Sequence, residues 1–282
     1  MLKQKTIKRK ITYTGVGLHT GNATSVTFLP APVDFGVTFI RTDLPGKPKI
    51  PASISHVFSV IRGTTIGVGE ARVHTVEHIC SALLGLGIDN VIIEIDANEP
   101  PVADGSAIAF VETLLNSGIE EQNAPKKILR LSEPVLYKAN ETEIRMDPSD
   151  SLTIHCQLLY DHPLLNKQEA TFEIEPKTYI HEIAPARTFC FDYEVEALKR
   201  KGLAKGGSLD NAVVVGMDRI YNKEKTLRFP DEFVRHKILD FLGDLYLSGR
   251  EIRGNIHAIR LGHGHNINFV KEILKAGELI HG

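Results

Sequence analysis

The segment RHKILDFLGD places His236, Asp240 and Asp244 at successive intervals of four residues. At 3.6 residues per turn each step rotates by only about 40°, so a helix carries all three on one face. A histidine and an aspartate four apart can chelate one ion; a solvated charged stripe or an intrahelical His–Asp pair uses the same spacing. Phe233, Val234, Ile238, Leu239, Phe241, Leu242 and Leu245 fill most of the rest of that helix and leave little of it for water. The acidic face is therefore expected to line a cleft, where a buried carboxylate needs a cation or a hydrogen-bonding partner.

A second chemical element lies far upstream, in TVEH at 75–78. Metal hydrolases set a glutamate beside a histidine ligand to serve as base toward a metal-held water. A favourable acidic residue at a helix N-terminus is the other reading of Glu77. Ligands His78, His236 and Asp240 would leave a fourth position of tetrahedral zinc open, the catalytic pattern, and zinc draws the pKa of its water toward about 7. The third element is RLGHGHNIN, with His263 and His265 in a Gly-rich stretch read as a turn between strand and helix. A histidine there can act as a general acid if a carboxylate orients it, and Asp244 is available. Metal ligation by His263 and His265, or a plain turn, remain open on spacing alone.

Elements must bring these residues together. Up to about residue 69 the chain reads as strands (ITYTGVGLHTG, ATSVTFLP, GVTFIRT) bounded by Gly, Pro and Asn. TVEHICSALLGLG then reads as a helix, DNVIIEID as a strand and AIAFVETLLNSG as a second helix, with Ser106 as N-cap and Gly118 as stop. The polar run 119–127, with Pro125, is expected to be a linker. Strands in ILRLSEPVLY, ETEIRMDP, SLTIHCQLLYD, ATFEIE and GNIHAIRLGH follow, with helices in FDYEVEALKRKG, DEFVRHKILDFLGDLYLSG and NINFVKEILKAG. Two strand-rich halves, each finished by two helices, predict an α+β protein with domains at 1–122 and 123–282. Aligning His78 with His236 also superimposes Leu84 on Leu242 and Gly85 on Gly243, a faint sign of duplication.

Composition narrows the function classes. With 33 basic and 35 acidic residues the formal charge is −2, so no global basic footprint points to nucleic acid. The basic start lacks the apolar core of a signal peptide and no run is long enough to span a bilayer, which predicts a cytoplasmic protein without integral membrane contact. Cys80, Cys156 and Cys190 are scattered and form no CxxC pair, so nitrogen and oxygen, not thiolate, are expected to hold any metal.

Seven ordered blocks, GVGLHTG (15–21), TVEH (75–78), DGS (104–106), ARTFCFDYE (186–194), KGLAKGGSLDNAVV (201–214), VRHKILDFLGDL (234–245) and GHGHN (262–266), resemble the UDP-3-O-acyl-N-acetylglucosamine deacetylase (LpxC) family of lipid A biosynthesis. The resemblance implies two similar layered halves of ribosomal S5 domain 2-like topology, their helices facing each other, with one small insertion per half. It implies a cytoplasmic enzyme that removes the N-acetyl group of UDP-3-O-(3-hydroxyacyl)-N-acetylglucosamine as acetate, with one catalytic zinc ion, or iron(II) in the cell. Matched by motif, His78, His236 and Asp240 would be ligands and Glu77 the general base. His263, held by Asp244, would be the charged acid, Thr188 a hydroxyl near the oxyanion, and Lys237 a cation near the substrate. The stretch 189–211 resembles the insertion that forms an acyl passage, with Phe189, Phe191 and Val195 suited to line it. A monomer is expected. The chain departs from the family pattern after His263, where Gly264 and His265 replace a small and an aliphatic residue and His265 becomes a rival for the acid role. Another zinc amidase or peptidase would share the metal logic without an acyl passage, and a non-catalytic S5-like binding module would retain no metal.

Overall fold

A computed structural model describes residues 2–165, 167–222 and 226–281. The first half runs β1 (Lys3–Ile7), β2 (Ile11–Val16), β3 (Ala23–Pro30), β4 (Val37–Arg41), β5 (Lys49–Pro51), β6 (Val57–Ser59), β7 (Thr65–Val68), β8 (Ala71–Val73), α1 (Glu77–Leu86), β9 (Val91–Ile95) and α2 (Ile108–Ser117). Its main sheet has the order β2-β3-β9-β4-β5, with β4 parallel to β9 and every other pair antiparallel. Alternation explains why β3 pairs there: Thr24, Val26 and Phe28 turn inward while their neighbours stay partly wet. Val26 and Phe28 face Ile95 and Ile93 of β9 in register. Strands β6, β7 and β8 form a separate small sheet.

The second half continues with β10 (Ile119–Pro125), β11 (Lys127–Arg130), β12 (Val135–Ala139), β13 (Thr142–Asp147), β14 (Leu152–Leu159), β15 (Lys167–Glu173), α3 (Pro176–Thr178), β16 (Phe189–Phe191), α4 (Asp192–Arg200), β17 (Val213–Val215), α5 (Glu232–Tyr246), β18 (Glu251–Ile259), α6 (His263–Ala276) and β19 (Glu278–His281). The path β12-β13-β18-β14-β15 has β14 parallel to β18 and its other pairs antiparallel, the same sequence of directions as in the first half. Strand β11 extends it by pairing parallel to β18 and antiparallel to β19.

Three local expectations differ from the structure. The run expected as a linker at 119–127 is largely strand β10, antiparallel to β1; its polar composition reflects a two-stranded ribbon with much of its surface in water, and Pro125 is tolerated at the strand's end. The stretch 189–211 does not end as a structural unit at 211, because β16 pairs in parallel with β17 at 213–215. The Gly-rich stretch after β18 is not a turn: α6 begins at His263, with Asn266 N–H donating to the Gly262 carbonyl across its first turn. Ser106 does act at the start of α2, accepting from Ile108 N–H at 3.3 Å, although the helix begins one residue later than a cap at 106 implies.

Helix α1 packs against α5, with α2 on α1 and α6 on α5. All of α1 but Leu84 is buried, which accounts for its apolar face being nearly continuous. The helices approach closely at Gly243, where any Cβ would overlap the carbonyl group of Glu77. Gly243→Ala is expected to lower thermal stability by about 1–3 kcal/mol, as overpacking does. It should also weaken metal retention, because it pushes the two halves of the site apart; calorimetry and metal analysis would show both.

Candidate active site

The α1–α5 contact sets His78 at the start of one helix against His236 and Asp240 in the middle of the other, and all three are buried. Asp240 Oδ1 lies 3.3 Å from His236 Nε2 and 3.8 Å from His78 Nε2, and the two imidazole rings meet edge to face at 5.2 Å. Tetrahedral zinc with bonds of about 2.0–2.1 Å separates its ligand atoms by roughly 3.3 Å, so the set needs little adjustment to close on an ion. His236 Nδ1 donates to the Ala186 carbonyl at 3.0 Å, leaving Nε2 as the free lone pair. That carbonyl is itself held in place, since the adjoining Arg187 forms a buried pair with Glu232 at 2.8 Å.

Protonation states suit a cation. Burial, reinforced by His236, pushes His78 down to about 4, and burial also lowers His236. For Asp240 burial works the other way, but His236, Lys237, His263 and His78 outweigh it and hold the carboxyl below its usual range. Two neutral imidazoles and one carboxylate are what a divalent metal requires. Lys237 donates to Asp240 Oδ2 at 3.0 Å and lies over the Phe189 ring, 5.6 Å from its centre.

Beside this set stands a proton-handling cluster. His263 Nδ1 donates to Asp244 Oδ2 at 2.8 Å, while its Nε2 faces Glu77 Oε1 at 3.8 Å and Asp240 Oδ2 at 4.0 Å. Burial opposes charge on His263; Asp244, Glu77 and Asp240 overcome it and raise the imidazole to about 10. Burial is the main cause of the rise of Glu77 to about 7; His263 opposes it, and Asp240 and Asp244 add to it. Glu77, Asp240 and His263 also lie close enough to hold an ion. A protonated imidazole has no lone pair to give, so the His78, His236 and Asp240 set is the better metal site. His265 does not join either group: its Nδ1 is 3.0 Å from the Tyr137 hydroxyl on β12.

Two members of the cluster were not singled out from the sequence. Thr64 donates its backbone N–H to Glu77 Oε2 at 2.9 Å and its hydroxyl to Asp244 Oδ1 at 2.5 Å, and Asn266 donates to Asp244 Oδ2 at 2.9 Å. No spacing marks Thr64, because its partners are 13 and 180 residues away. Thr64→Val is expected to cost about 1–3 kcal/mol by stripping a buried carboxylate oxygen of its donor, with Thr64→Ser restoring most of it in a denaturant titration.

An apolar cavity of about 290 Å³ opens alongside, lined by Thr188, Phe189, Val195, Leu198 and Leu209 among others. Phe191 is not among its lining residues: its ring packs behind, 4.8 Å from that of His162 and 5.3 Å from that of Tyr193. Among the described residues, no helix is long and apolar enough to cross a membrane.

The family model for UDP-3-O-acyl N-acetylglycosamine deacetylase matches residues 4–275. UDP-3-O-acyl-N-acetylglucosamine deacetylases of Teredinibacter turnerae and Saccharophagus degradans are 47% and 46% identical over 277 residues, covering 98% of this chain and 91% of each relative. The enzyme of that name from Cellvibrio japonicus is 44% identical over the same length. A match over nearly the whole chain, with the His, His and Asp set buried against a glutamate and a charged histidine, means that the chain belongs to the UDP-3-O-acyl-N-acetylglucosamine deacetylase family.

Proposed function

We propose that this chain is a zinc-dependent deacetylase that hydrolyses the N-acetyl group of UDP-3-O-(3-hydroxyacyl)-N-acetylglucosamine to acetate and the free amine, a step of lipid A biosynthesis. The observation that carries the reading is the pairing, within 4 Å, of a carboxyl raised to about 7 with an imidazole raised to about 10, beside two buried histidines and an aspartate. His78, His236 and Asp240 would hold zinc, or iron(II) in the cell. When bound, the metal supplies Lewis acidity toward the amide carbonyl and the attacking water.

The chain's own groups divide the proton work. Glu77, steadied by the Thr64 N–H, takes a proton as the water oxygen bonds to the carbonyl carbon. His263, kept charged by Asp244, faces the developing oxyanion and then gives its Nε2 proton to the nitrogen as the C–N bond breaks. Thr188 and Lys237 are assigned to the oxyanion and to the substrate's anionic part, and Phe189 and Val195 to the acyl passage. The matching strand directions of the two sheets support reading 1–122 and 123–282 as copies of one α+β unit. We assign the enzyme to the cytoplasm, as a monomer acting on a soluble nucleotide sugar.

Acetate release from substrates of graded acyl length tests the reading. Each buried CH₂ contributes about 0.8 kcal/mol, so shortening the chain by four carbons should lower kcat/KM by about 10²-fold, with part of the loss in kcat. Val195→Trp should penalise the long chain more than the short one. Equal rates across the series would remove the acyl passage from the proposal.

A further inference from the structure

The walls of the apolar cavity come from three segments far apart in sequence: the 17–20 loop after β2, the 60–64 loop between β6 and β7, and the insertion from β16 to β17. Two backbone hydrogen bonds join the first segment to the third, Lys205 N–H to the His19 carbonyl at 3.2 Å and Gly206 N–H to the Leu18 carbonyl at 3.0 Å. The first meets the second where His19 Nε2 approaches the Arg62 carbonyl at 3.2 Å. The circuit closes through side chains alone: Arg62 Nη2 donates to Glu194 Oε1 on α4 at 2.7 Å.

Both partners are built to meet. Arg62 takes the left-handed conformation, φ +60°, that a non-glycine residue adopts only when its surroundings hold it there. The second oxygen of Glu194 accepts from Phe191 N–H at 3.0 Å, which fixes the carboxylate at the start of α4. Arg62 itself borders the cavity, together with Leu18, His19 and Val195. Its side chain is 45% exposed and that of Glu194 21%, so this is the one link of those described that dissolved ions can weaken directly.

We propose that the Arg62–Glu194 ion pair is the latch that closes the passage around a linear aliphatic chain, and that it sets how strongly the enzyme prefers long acyl groups over short ones. The inference rests on the deacetylase reading above. With the latch intact, methylene groups along the cavity are shielded from water; with it open, the 60–64 loop can part from α4 and the distal methylenes lose that shielding. A long chain loses more than a short one, since only the long chain reaches past the latch.

The test measures kcat/KM for a long- and a short-chain substrate in wild type, Arg62→Ala, Arg62→Lys, Glu194→Gln and the Arg62→Ala/Glu194→Gln double variant. Glu194→Gln removes the charge while keeping the acceptor for Phe191 N–H. The long-to-short ratio is expected to fall about 2- to 5-fold in Arg62→Ala and Glu194→Gln, the size a partly exposed ion pair can carry. It should fall no further in the double variant and recover in Arg62→Lys. Raising salt from about 0.02 to 0.5 M should lower the ratio in wild type and leave it flat in Arg62→Ala. Additive losses in the double variant, or a ratio that ignores both substitution and salt, would overturn the latch while wild-type acetate release still upholds the deacetylase. Absence of acetate release from wild type would instead remove the reading beneath it.

Discussion

Asp240→Ala is expected to empty the metal site and to lower acetate release by at least about 10³-fold at neutral pH, with His78→Ala close behind. Asp240 is the only carboxylate of the proposed set, and its oxygen lies 3.3 and 3.8 Å from the two histidine nitrogens, so it supplies the charge that a divalent ion must find in a buried position. Lewis acidity contributes several kcal/mol to such a hydrolysis, and each 1.36 kcal/mol is tenfold in rate. The two variants should differ in one respect. Asp240→Ala also strands the half-buried Lys237 ammonium that it pairs at 3.0 Å, so its metal-free form should be less stable than that of His78→Ala. Metal analysis beside an acetate assay decides the matter: stoichiometric zinc and full activity in both variants would dismiss this ligand set.

The second expected result concerns protons. Glu77→Gln should keep its metal and lose about 10²- to 10⁴-fold in kcat, the range of a general base. The amide oxygen can still accept from Thr64 N–H, so the loss reports chemistry rather than collapse. The rate of wild type should be bell-shaped in pH, because the proposed roles require Glu77 deprotonated and His263 protonated. Burial sets the acidic limb through Glu77, near 7 in the metal-free chain, and Asp244 sets the alkaline limb through His263, near 10. A bound cation draws both downward. Asp244→Asn removes the charge that favours imidazolium, so the alkaline limb must move to lower pH while zinc is retained. Stability follows the same sign. His263 titrates higher in the folded chain than its ordinary 6.5, so its contribution is complete below about 6.5 and disappears as pH rises through about 10. In Asp244→Asn that pH-dependent loss should flatten. An alkaline limb untouched in Asp244→Asn but displaced in His265→Ala would transfer the acid role to His265.

Helical periodicity made His236, Asp240 and Asp244 legible as one face, and the structure has all three buried on α5. Apolar spacing located α1, α2 and α5, and the alternation of β3 and β14 marked sheets with one face inward. Motif order carried the family. These features depend on neighbours within a few residues, where geometry repeats and can be counted. Three-dimensional packing alone decided the rest. Which way His265 turns depends on Tyr137, 128 residues away, and α6 starts at His263 within a stretch whose two glycines read as a turn. Strand β10 reads as a polar linker because β1, the strand it pairs with among the described residues, lies near the start of the chain. Thr64 joins Glu77 to Asp244, and Arg62 reaches Glu194 across 132 residues. A hydroxyl or a guanidinium acquires such a role only when the chain has closed, since no local period encodes a contact made once and between distant segments.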